Sequence, residues 1–286
     1  MIFGGTGYLG NAISQKLNEK NFDVTVATRK SIKTNLNNVK FIKYNKNSIH
    51  LLFKNIDYVI CANGPSRESF KRNKDKILEN YIHEMNTIFI NCKNSNIKKV
   101  IYLSSIHVLT NFQNTSDSLR YYIKSKKKTE TIIKKLFTKN YKKFKILRLT
   151  NIFGYYDKNN YVESFSLVKD FIHQAKKTNK IIIKNKKNFK RIFFPINLFL
   201  EYLIFFVENN TKKLIYNIGD LKYQFTLLEI ANKIKKNIYS KKKIKIKILH
   251  SFEKEIINKK QIFSFFSTTK IKNNSNFIDN QITKLI

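Results

Sequence analysis

A cluster of glycines near the start of the sequence constrains the fold more than any other feature. In MIFGGTGYLG, residues 1–10, Gly4, Gly7 and Gly10 form the pattern G-x-x-G-x-x-G between a short apolar strand and an amphipathic helix. The whole chain of 286 residues has only 7 glycines, so composition alone does not explain four of them here. Glycines in this context allow a tight turn, close approach of backbone N–H groups to a pyrophosphate, and close helix–strand packing. The segment therefore predicts a dinucleotide-binding loop.

Short apolar runs alternate with helix-compatible segments through the first half of the chain. The apolar runs lie at residues 24–27, 39–42, 57–62, 98–105 and 144–150, and the helical segments at residues 9–20, 70–94 and 119–137. This alternation predicts an α/β fold with a Rossmann-like, doubly wound parallel sheet. After about residue 155 short strands mix with helices near residues 197–208 and 226–239. We expect a Rossmann domain over residues 1–155 and, over residues 156–286, mostly a smaller C-terminal substrate-binding lobe interleaved with the main sheet.

The net charge of +37 raises the question of a nucleic-acid partner, because clustered Lys and Arg neutralise phosphates. The lysines are scattered over the chain, apart from one run at residues 235–249. Lys, Asn, Ile, Phe and Tyr are abundant while Gly, Pro and Trp are scarce, as AT-rich coding would impose on any fold. The composition argues against nucleic-acid binding as the main function and is compatible with an anionic small substrate.

Neither a membrane span nor a metal site is predicted. The most apolar run, LFLEYLIFFV at residues 198–207, is too short to span a bilayer and is interrupted by Glu201. Cys61 and Cys92 have no ligand-like spacing, and two isolated thiols are typical of a reducing compartment. Nothing at the N-terminus resembles a secretory signal. We expect a cytoplasmic protein with no metal and no membrane partner.

The end of the second predicted strand bears on the choice of dinucleotide. NAD sites usually place Asp or Glu there, to accept from the ribose 2′-hydroxyl, whereas this chain has Thr28, Arg29 and Lys30. This favours a 2′-phosphate, and therefore NADP(H), with NAD(H) still possible. Alternatively, Arg29 is one more surface cation in a basic protein.

A Ser, Tyr and Lys constellation follows the glycine loop in the chain. Ser104 and Ser105 end the fifth predicted strand, and Tyr122 and Lys126 lie four residues apart on one helix face. A phenol is a poor base at neutral pH, but a neighbouring ammonium and a nicotinamide ring would lower its pKa. Tyr122 could then exchange a proton with a substrate hydroxyl that Ser105 holds. Y-x-x-x-K alone also fits a solvated basic helix, and the order of the motifs favours chemistry.

Together these residues resemble the extended short-chain dehydrogenase/reductase family, in its nucleotide-sugar epimerase/dehydratase branch. The similarity runs nearly end to end. It is carried by GGTGYLG, DYVICANGPS, IKKVIYLSSIHVL, YYIKSKKKTE, LRLTNIFG, RIFFPI and IYNIGDLKYQFTLLEIANKI. The resemblance implies Ser105, Tyr122 and Lys126 as catalytic residues. It implies cofactor contacts from Gly4, Thr6, Gly7, Tyr8, Leu9, Gly10, Arg29, Ala62 and Lys126, and substrate contacts from His107, Asn151 and Arg191.

Several positions depart from the family pattern. The first strand, MIF, is shorter than usual, so we expect that the chain starts late, being either truncated or mis-started. Ile106 and His107 stand where dehydratases carry an Asp-Glu pair, which disfavours water elimination. His107 could instead be an additional acid or base, or a hydrogen-bonded histidine lining the cleft. Arg191 lacks the Asp that usually follows it and could be a surface cation, but a guanidinium suits a nucleotide diphosphate.

The resemblance implies an NAD(P)-dependent oxidoreductase that acts on a nucleotide-activated sugar in the synthesis of surface-polysaccharide precursors. Epimerisation and keto-sugar reduction both remain open, as do the sugar and the nucleotide. The helices at residues 70–94 and 119–137 resemble those through which family members dimerise, which makes a homodimer possible. The alternative is a catalytically inactive scaffold of the same fold that binds a nucleotide or RNA.

Overall fold

The computed structural model describes residues 1–29, 38–110, 115–138, 142–154, 156, 167–183, 190–238, 244–249 and 277–285. Lys30 and Tyr155, the last residue of the expected Rossmann domain, lie outside these residues. Twelve strands are defined within them: β1 Ile2–Phe3, β2 Val24–Thr28, β3 Val39–Lys43, β4 Tyr58–Cys61, β5 Lys99–Ser105, β6 Phe144–Leu149, β7 Asn151–Phe153, β8 Lys180–Ile183, β9 Lys190–Pro195, β10 Ile215–Ile218, β11 Gln224–Thr226 and β12 Lys245–Ile248.

The described residues form seven α-helices: α1 Tyr8–Glu19, α2 Lys74–Asn94, α3 Asp117–Leu136, α4 Leu167–Thr178, α5 Ile196–Glu208, α6 Leu227–Asn237 and α7 Phe277–Leu285. Short 3₁₀ turns lie at Ile49–Phe53, Glu68–Lys71, Ile106–Leu109 and Leu221–Tyr223. Helix α6 begins with a capping box, in which Thr226 accepts from the backbone of Glu229 and the Glu229 side chain bonds back to Thr226. In this part of the chain, no helix is long and apolar enough to cross a membrane.

A parallel sheet lies at the centre of the fold. Seven of the described strands form it, in the order β10-β6-β5-β4-β1-β2-β3. Its inner strands are covered on both faces, which explains their continuous apolar sequence, and every residue of β5 is buried. Helices α1 and α5 pack on one face, and α2 and α3 on the other. The prediction of a Rossmann-like, doubly wound α/β fold is confirmed.

Strand β1 has only two residues, yet it lies inside the sheet and pairs in parallel with both β2 and β4. Ile2 and Phe3 are almost fully buried. The Phe3 ring packs edge-on against Tyr44 at a centroid distance of 5.6 Å. The short strand therefore leads the chain directly from the sheet interior into the glycine loop.

A second group of elements follows β6. Strands β7, β9 and β11 form a small sheet, β8 and β12 form a parallel pair, and α4, α6 and α7 pack around an apolar cluster of their own. Strand β10 returns to the main sheet and pairs with β6, with Ile215 opposite Ile146. The C-terminal half of the chain therefore contributes both a small lobe and an edge strand of the main sheet.

Two buried lysines connect the halves of the chain. Lys99 Nζ, on β5, donates to the carbonyl oxygens of Val207 at 2.8 Å and Asn209 at 2.9 Å, at the end of α5. Lys145 Nζ, on β6, donates to those of Thr211 at 2.7 Å and Lys213 at 3.0 Å. Burial lowers the pKa of Lys145 to about 8. These bonds fix the segment between α5 and β10 along the sheet.

Candidate active site

The glycine loop turns sharply and presents a helix N-terminus. Gly4 has φ +79°, and a Cβ there would lie 2.5 Å from the backbone nitrogen of Asn63. A Cβ on Gly10 would lie 2.1 Å from the carbonyl oxygen of Gly4, so both positions require glycine. The N-cap of α1, Gly7, provides no side-chain cap, and Thr6 and Gly7 are exposed. Uncapped N–H groups at a helix N-terminus attract anions, so the loop fits a dinucleotide pyrophosphate.

A cavity of about 270 Å³ opens beside this loop, at the carboxyl ends of β4, β5 and β6. Open α/β sheets bind ligands at this edge. Six of the predicted site residues line it together: Tyr8, Leu9, Ala62, Ser105, Tyr122 and Lys126. Residues that the sequence analysis did not assign also line it, among them Asn63, Ser66, Ser104 and Thr150.

Ser105 and Tyr122 meet in the cavity. Both side chains line it, and the Ser105 hydroxyl accepts from the backbone N–H of His107 at 3.3 Å. Burial raises the pKa of Tyr122, and the nearby Ser105 hydroxyl opposes this shift. In the protein alone the pKa of Tyr122 therefore moves up, whereas the sequence analysis expects the complete site to lower it. The Tyr122 phenol is thus protonated at neutral pH.

Lys126 lies beneath Tyr122, against β5. Its Nζ donates to the carbonyl oxygen of Leu103 at 3.1 Å and lies 5.1 Å from the centre of the Tyr102 ring. Burial lowers the pKa of Lys126 to about 8, and the nearby Glu130 carboxylate opposes the shift. The ammonium is therefore held in a fixed place at the floor of the cavity.

A buried ion pair supports this floor. Glu130 follows Lys126 by one helical turn and accepts from Ser104 Oγ at 2.7 Å. Arg148, on β6, donates from Nε at 2.9 Å and from Nη2 at 2.6 Å to the two oxygens of the same carboxylate. The sequence analysis did not find this network. The spacing of Lys126 and Glu130 on one helix face was the available signal.

Eight predicted site residues lie outside the cavity lining. Gly4, Thr6, Gly7 and Gly10 form the adjacent loop, and the other four are Arg29, His107, Asn151 and Arg191. The His107 ring lies edge-on to Tyr122 at 6.3 Å, next to the cavity. Asn151, on β7, donates from Nδ2 to the carbonyl oxygen of Ile192 at 3.1 Å. Arg191 lies on the neighbouring strand β9, opposite Phe225 of β11. The structure therefore places Asn151 and Arg191 together on the small sheet.

Arg29 lies on the surface, with 72% of its side chain exposed. Its Nη1 is 3.5 Å from Glu84 Oε2 on α2. The other oxygen of Glu84 accepts from the Tyr44 hydroxyl at 2.5 Å. Arg29 thus has a carboxylate neighbour at the end of β2, which the sequence analysis did not anticipate.

The described residues form no cluster of side chains that could bind a metal ion. Within the described ranges, no three His, Cys, Asp or Glu residues lie close enough together to hold a metal ion. Cys61 and Cys92 are both buried, and burial raises the pKa of each thiol. These thiols are therefore apolar packing groups.

Residues 1–219 match the NAD dependent epimerase/dehydratase family. Among solved structures, the fold resembles a UDP-N-acetylglucosamine 4-epimerase from Methanobrevibacter ruminantium M1, with TM-score 0.79 and 21% identity over 99% of this chain and 95% of that one. It also resembles the UDP-Glc/GlcNAc 4-epimerase from Campylobacter jejuni, with TM-score 0.74 and 16% identity over 99% of this chain and 97% of that one. The fold also resembles that of TunA, an NAD dependent NDP-hexosamine 5,6-dehydratase. The TM-score is 0.76, and the identity is 16% over 99% of this chain and 95% of that one. A comparison with curated protein sequences gives no significant match.

Proposed function

Because this chain belongs to the NAD-dependent epimerase/dehydratase family, we propose that it is an NAD(P)-dependent oxidoreductase acting on a nucleotide-activated sugar, as an epimerase or a keto-sugar reductase. The observation that carries the proposal is that Ser105, Tyr122 and Lys126 line one cavity beside the glycine loop. A proton-transfer pair and an anion-binding helix terminus open onto the same space, as this chemistry requires.

Each of these residues has a defined task in the proposed reaction. A bound nicotinamide dinucleotide would supply hydride exchange at a sugar carbon. Tyr122 takes or gives the proton of the sugar hydroxyl at its phenol oxygen, and Ser105 orients that hydroxyl. Lys126 offers a fixed ammonium at the cavity floor, which favours the phenolate over the phenol in the loaded site. The loop at Gly4 to Gly10 holds the cofactor phosphates.

Substrate contacts are proposed on the small sheet and beside the cavity. Asn151 reaches the sugar or a phosphate, Arg191 pairs with the nucleotide diphosphate, and His107 lies next to Tyr122 at the sugar. UDP-sugars are named for several structures of similar fold, including the Thermotoga maritima UDP-glucose 4-epimerase with UDP-glucose. This supports a nucleotide sugar as the substrate class.

For the cofactor we propose NADP(H) ahead of NAD(H). Arg29 at the end of β2 supports a 2′-phosphate, because a guanidinium binds phosphate well. Glu84 beside it opposes the preference, and NAD is named for TunA and MoeE5. The preference between NADP(H) and NAD(H) therefore depends on how strongly the Glu84 carboxylate competes with a 2′-phosphate for Arg29.

The remaining proposals concern the cellular context. We propose a cytoplasmic location, a role in surface-polysaccharide precursor synthesis, and a homodimer formed through α2 and α3, which pack side by side on one face of the sheet. The domain division at residues 1–155 and 156–286 also remains a proposal. Strand β10 and helix α5 from the second part pack with the first.

The test begins with the purified protein. It is denatured, and any released nucleotide is identified by mass spectrometry; the emptied protein is then titrated with NADP(H) and NAD(H). Tightly retained cofactor supports an epimerase, and freely exchanging NADPH supports a reductase. If neither dinucleotide binds, the enzyme proposal fails. Salt-dependent RNA binding would then support the scaffold alternative, for which the charge of +37 is the motive.

A further inference from the structure

Asn63 lies between the glycine loop and the part of the cavity that Lys126 lines. It follows β4 by two residues and lines the cavity. Its backbone packs against Gly4, where an added Cβ would come within 2.7 Å of the Asn63 Cα. The next residue, Gly64, lies near Lys126, because a Cβ there would lie 3.3 Å from Lys126 Nζ. Asn63 therefore stands between the proposed phosphate site and the proposed catalytic lysine.

The side-chain amide of Asn63 makes no hydrogen bond to any residue that the structure describes. Nδ2 and Oδ1 are both buried, and within the described part of the chain neither has a hydrogen-bond partner. An unsatisfied buried amide destabilises a folded protein, and such groups are rare in native structures. A neighbour in the same cavity shows the contrast, since the Ser66 hydroxyl bonds to Ser69 at 3.0 Å. Asn63 is thus a cavity-lining residue whose buried amide has no partner among the described residues.

The chemistry of the amide narrows the choice of ligand. Nδ2 donates and Oδ1 accepts, so a partner that satisfies both must accept and donate. A phosphate only accepts at neutral pH and would leave Oδ1 unpaired. Sugar hydroxyls do both. In a dinucleotide, the group that follows the pyrophosphate toward the reacting ring is a ribose with a free diol.

We propose that Asn63 binds the ribose on the nicotinamide side of the dinucleotide, through its side-chain amide. This inference rests on the proposed function, because it takes the glycine loop as the pyrophosphate site. It adds a cofactor contact that the motifs do not specify. It would give both polar atoms of the amide a hydrogen-bond partner.

The test is calorimetric titration of the full chain and Asn63→Ala with NAD(H), ADP-ribose and ADP, together with the melting temperature of each ligand-free protein. ADP lacks the second ribose. We expect Asn63→Ala to bind NAD(H) and ADP-ribose about tenfold more weakly and ADP within twofold, as one or two lost hydrogen bonds would give. The melting temperature of the ligand-free variant should stay the same or rise. Asn80→Ala, an asparagine substitution at an exposed position on α2 outside the cavity, is the matched control and should change none of these affinities.

Two further results would overturn the proposal. One is unchanged ADP-ribose affinity in Asn63→Ala, and the other is an equal loss for ADP with a lower melting temperature, which indicates a structural role. Asn63→Ser keeps one group that donates and accepts, and should bind ADP-ribose with intermediate affinity. If Asn63→Ala does not fold, Asn63→Ser takes its place in the test. Unchanged ADP-ribose affinity in Asn63→Ser would again reject the inference. A wild-type protein that binds none of the dinucleotides would instead reject the proposed function.

Discussion

The ammonium of Lys126 donates to the main-chain carbonyl oxygen of Leu103 at 3.1 Å, on the strand that ends at Ser105. Burial in this position lowers the pKa of Lys126 to about 8. Below that pH the group is charged and can bind a ligand acceptor; above it the charge is lost. Dinucleotide binding should favour the charged form, take up a proton, and weaken between about pH 8 and pH 10. Calorimetry across this range checks the prediction, and Lys126→Met should flatten the profile. An equal slope in Lys126→Met would assign it to another group.

Tyr122→Phe should abolish turnover and leave dinucleotide affinity within a few fold, because the variant loses only the transferable proton. The chain offers a matched control in the adjacent Tyr121, whose hydroxyl donates to Asp75 at 2.7 Å on the surface. Tyr121→Phe should keep its activity. Steady-state assays on the substrate identified for the wild type compare the two variants. Activity in Tyr122→Phe close to that of the wild type would remove this phenol from the mechanism.

Two glycines of the loop should respond differently to the same substitution. In Gly10→Ala the new Cβ would lie 2.1 Å from the carbonyl oxygen of Gly4, so the loop or α1 must shift. In Gly7→Ala the Cβ would lie 3.5 Å from that oxygen, an ordinary contact. We expect Gly10→Ala to lose about 2 kcal/mol or more of unfolding free energy, and Gly7→Ala to lose about 1 kcal/mol or less. Urea denaturation measures both. Equal losses would contradict the packing argument.

Glu130→Gln should destabilise the fold strongly. The substitution removes the carboxylate charge that Arg148 binds through two hydrogen bonds, and it leaves a largely buried cation without its counter-ion. Breaking buried ion pairs of this kind costs about 3 kcal/mol. Urea denaturation gives the loss. Removing the cation as well, in Glu130→Gln with Arg148→Met, should recover part of it, and a double variant that only adds the two losses would show that the pair is not coupled.

Arg29 and Glu84 should set the preference between NADP(H) and NAD(H). Arg29→Ala should weaken NADPH about tenfold and leave NADH nearly unchanged, because only the 2′-phosphate contact is lost. Glu84→Gln keeps an acceptor for the Tyr44 hydroxyl and removes the competing charge, so NADPH affinity should rise severalfold. Parallel titrations of both coenzymes measure the ratio. A ratio that neither substitution changes would place the choice elsewhere.

The main sheet and the glycine loop could be predicted from the sequence because their signals are local. Each buried strand is a continuous apolar run, and the Gly4 to Gly10 spacing lies within one turn and one helix start. The predicted strand at residues 98–105 differs from β5 by one residue. Chain order and strand-end position also sufficed to select Ser105, Tyr122 and Lys126, which the structure brings to one cavity. Their catalytic roles stay predictions.

Contacts between distant parts of the chain could not be predicted in this way. Glu84 lies 55 residues from Arg29, and only the packing of α2 against the sheet brings them together. The pairing of Glu130 with Arg148 depends in the same way on how α3 crosses β6. The isolated amide of Asn63 is defined by what surrounds it, since an asparagine after a strand is an ordinary turn residue.

The late position of β10 has a consequence for synthesis on the ribosome. Until Ile218 has left the exit tunnel, β6 is an exposed edge strand, and Lys145 lacks the carbonyl partners that Thr211 and Lys213 provide. An unpaired edge of apolar sequence is a template for association with other chains. The nascent chain therefore passes through a long aggregation-prone interval, and chaperone dependence and translation speed after β6 should govern its yield.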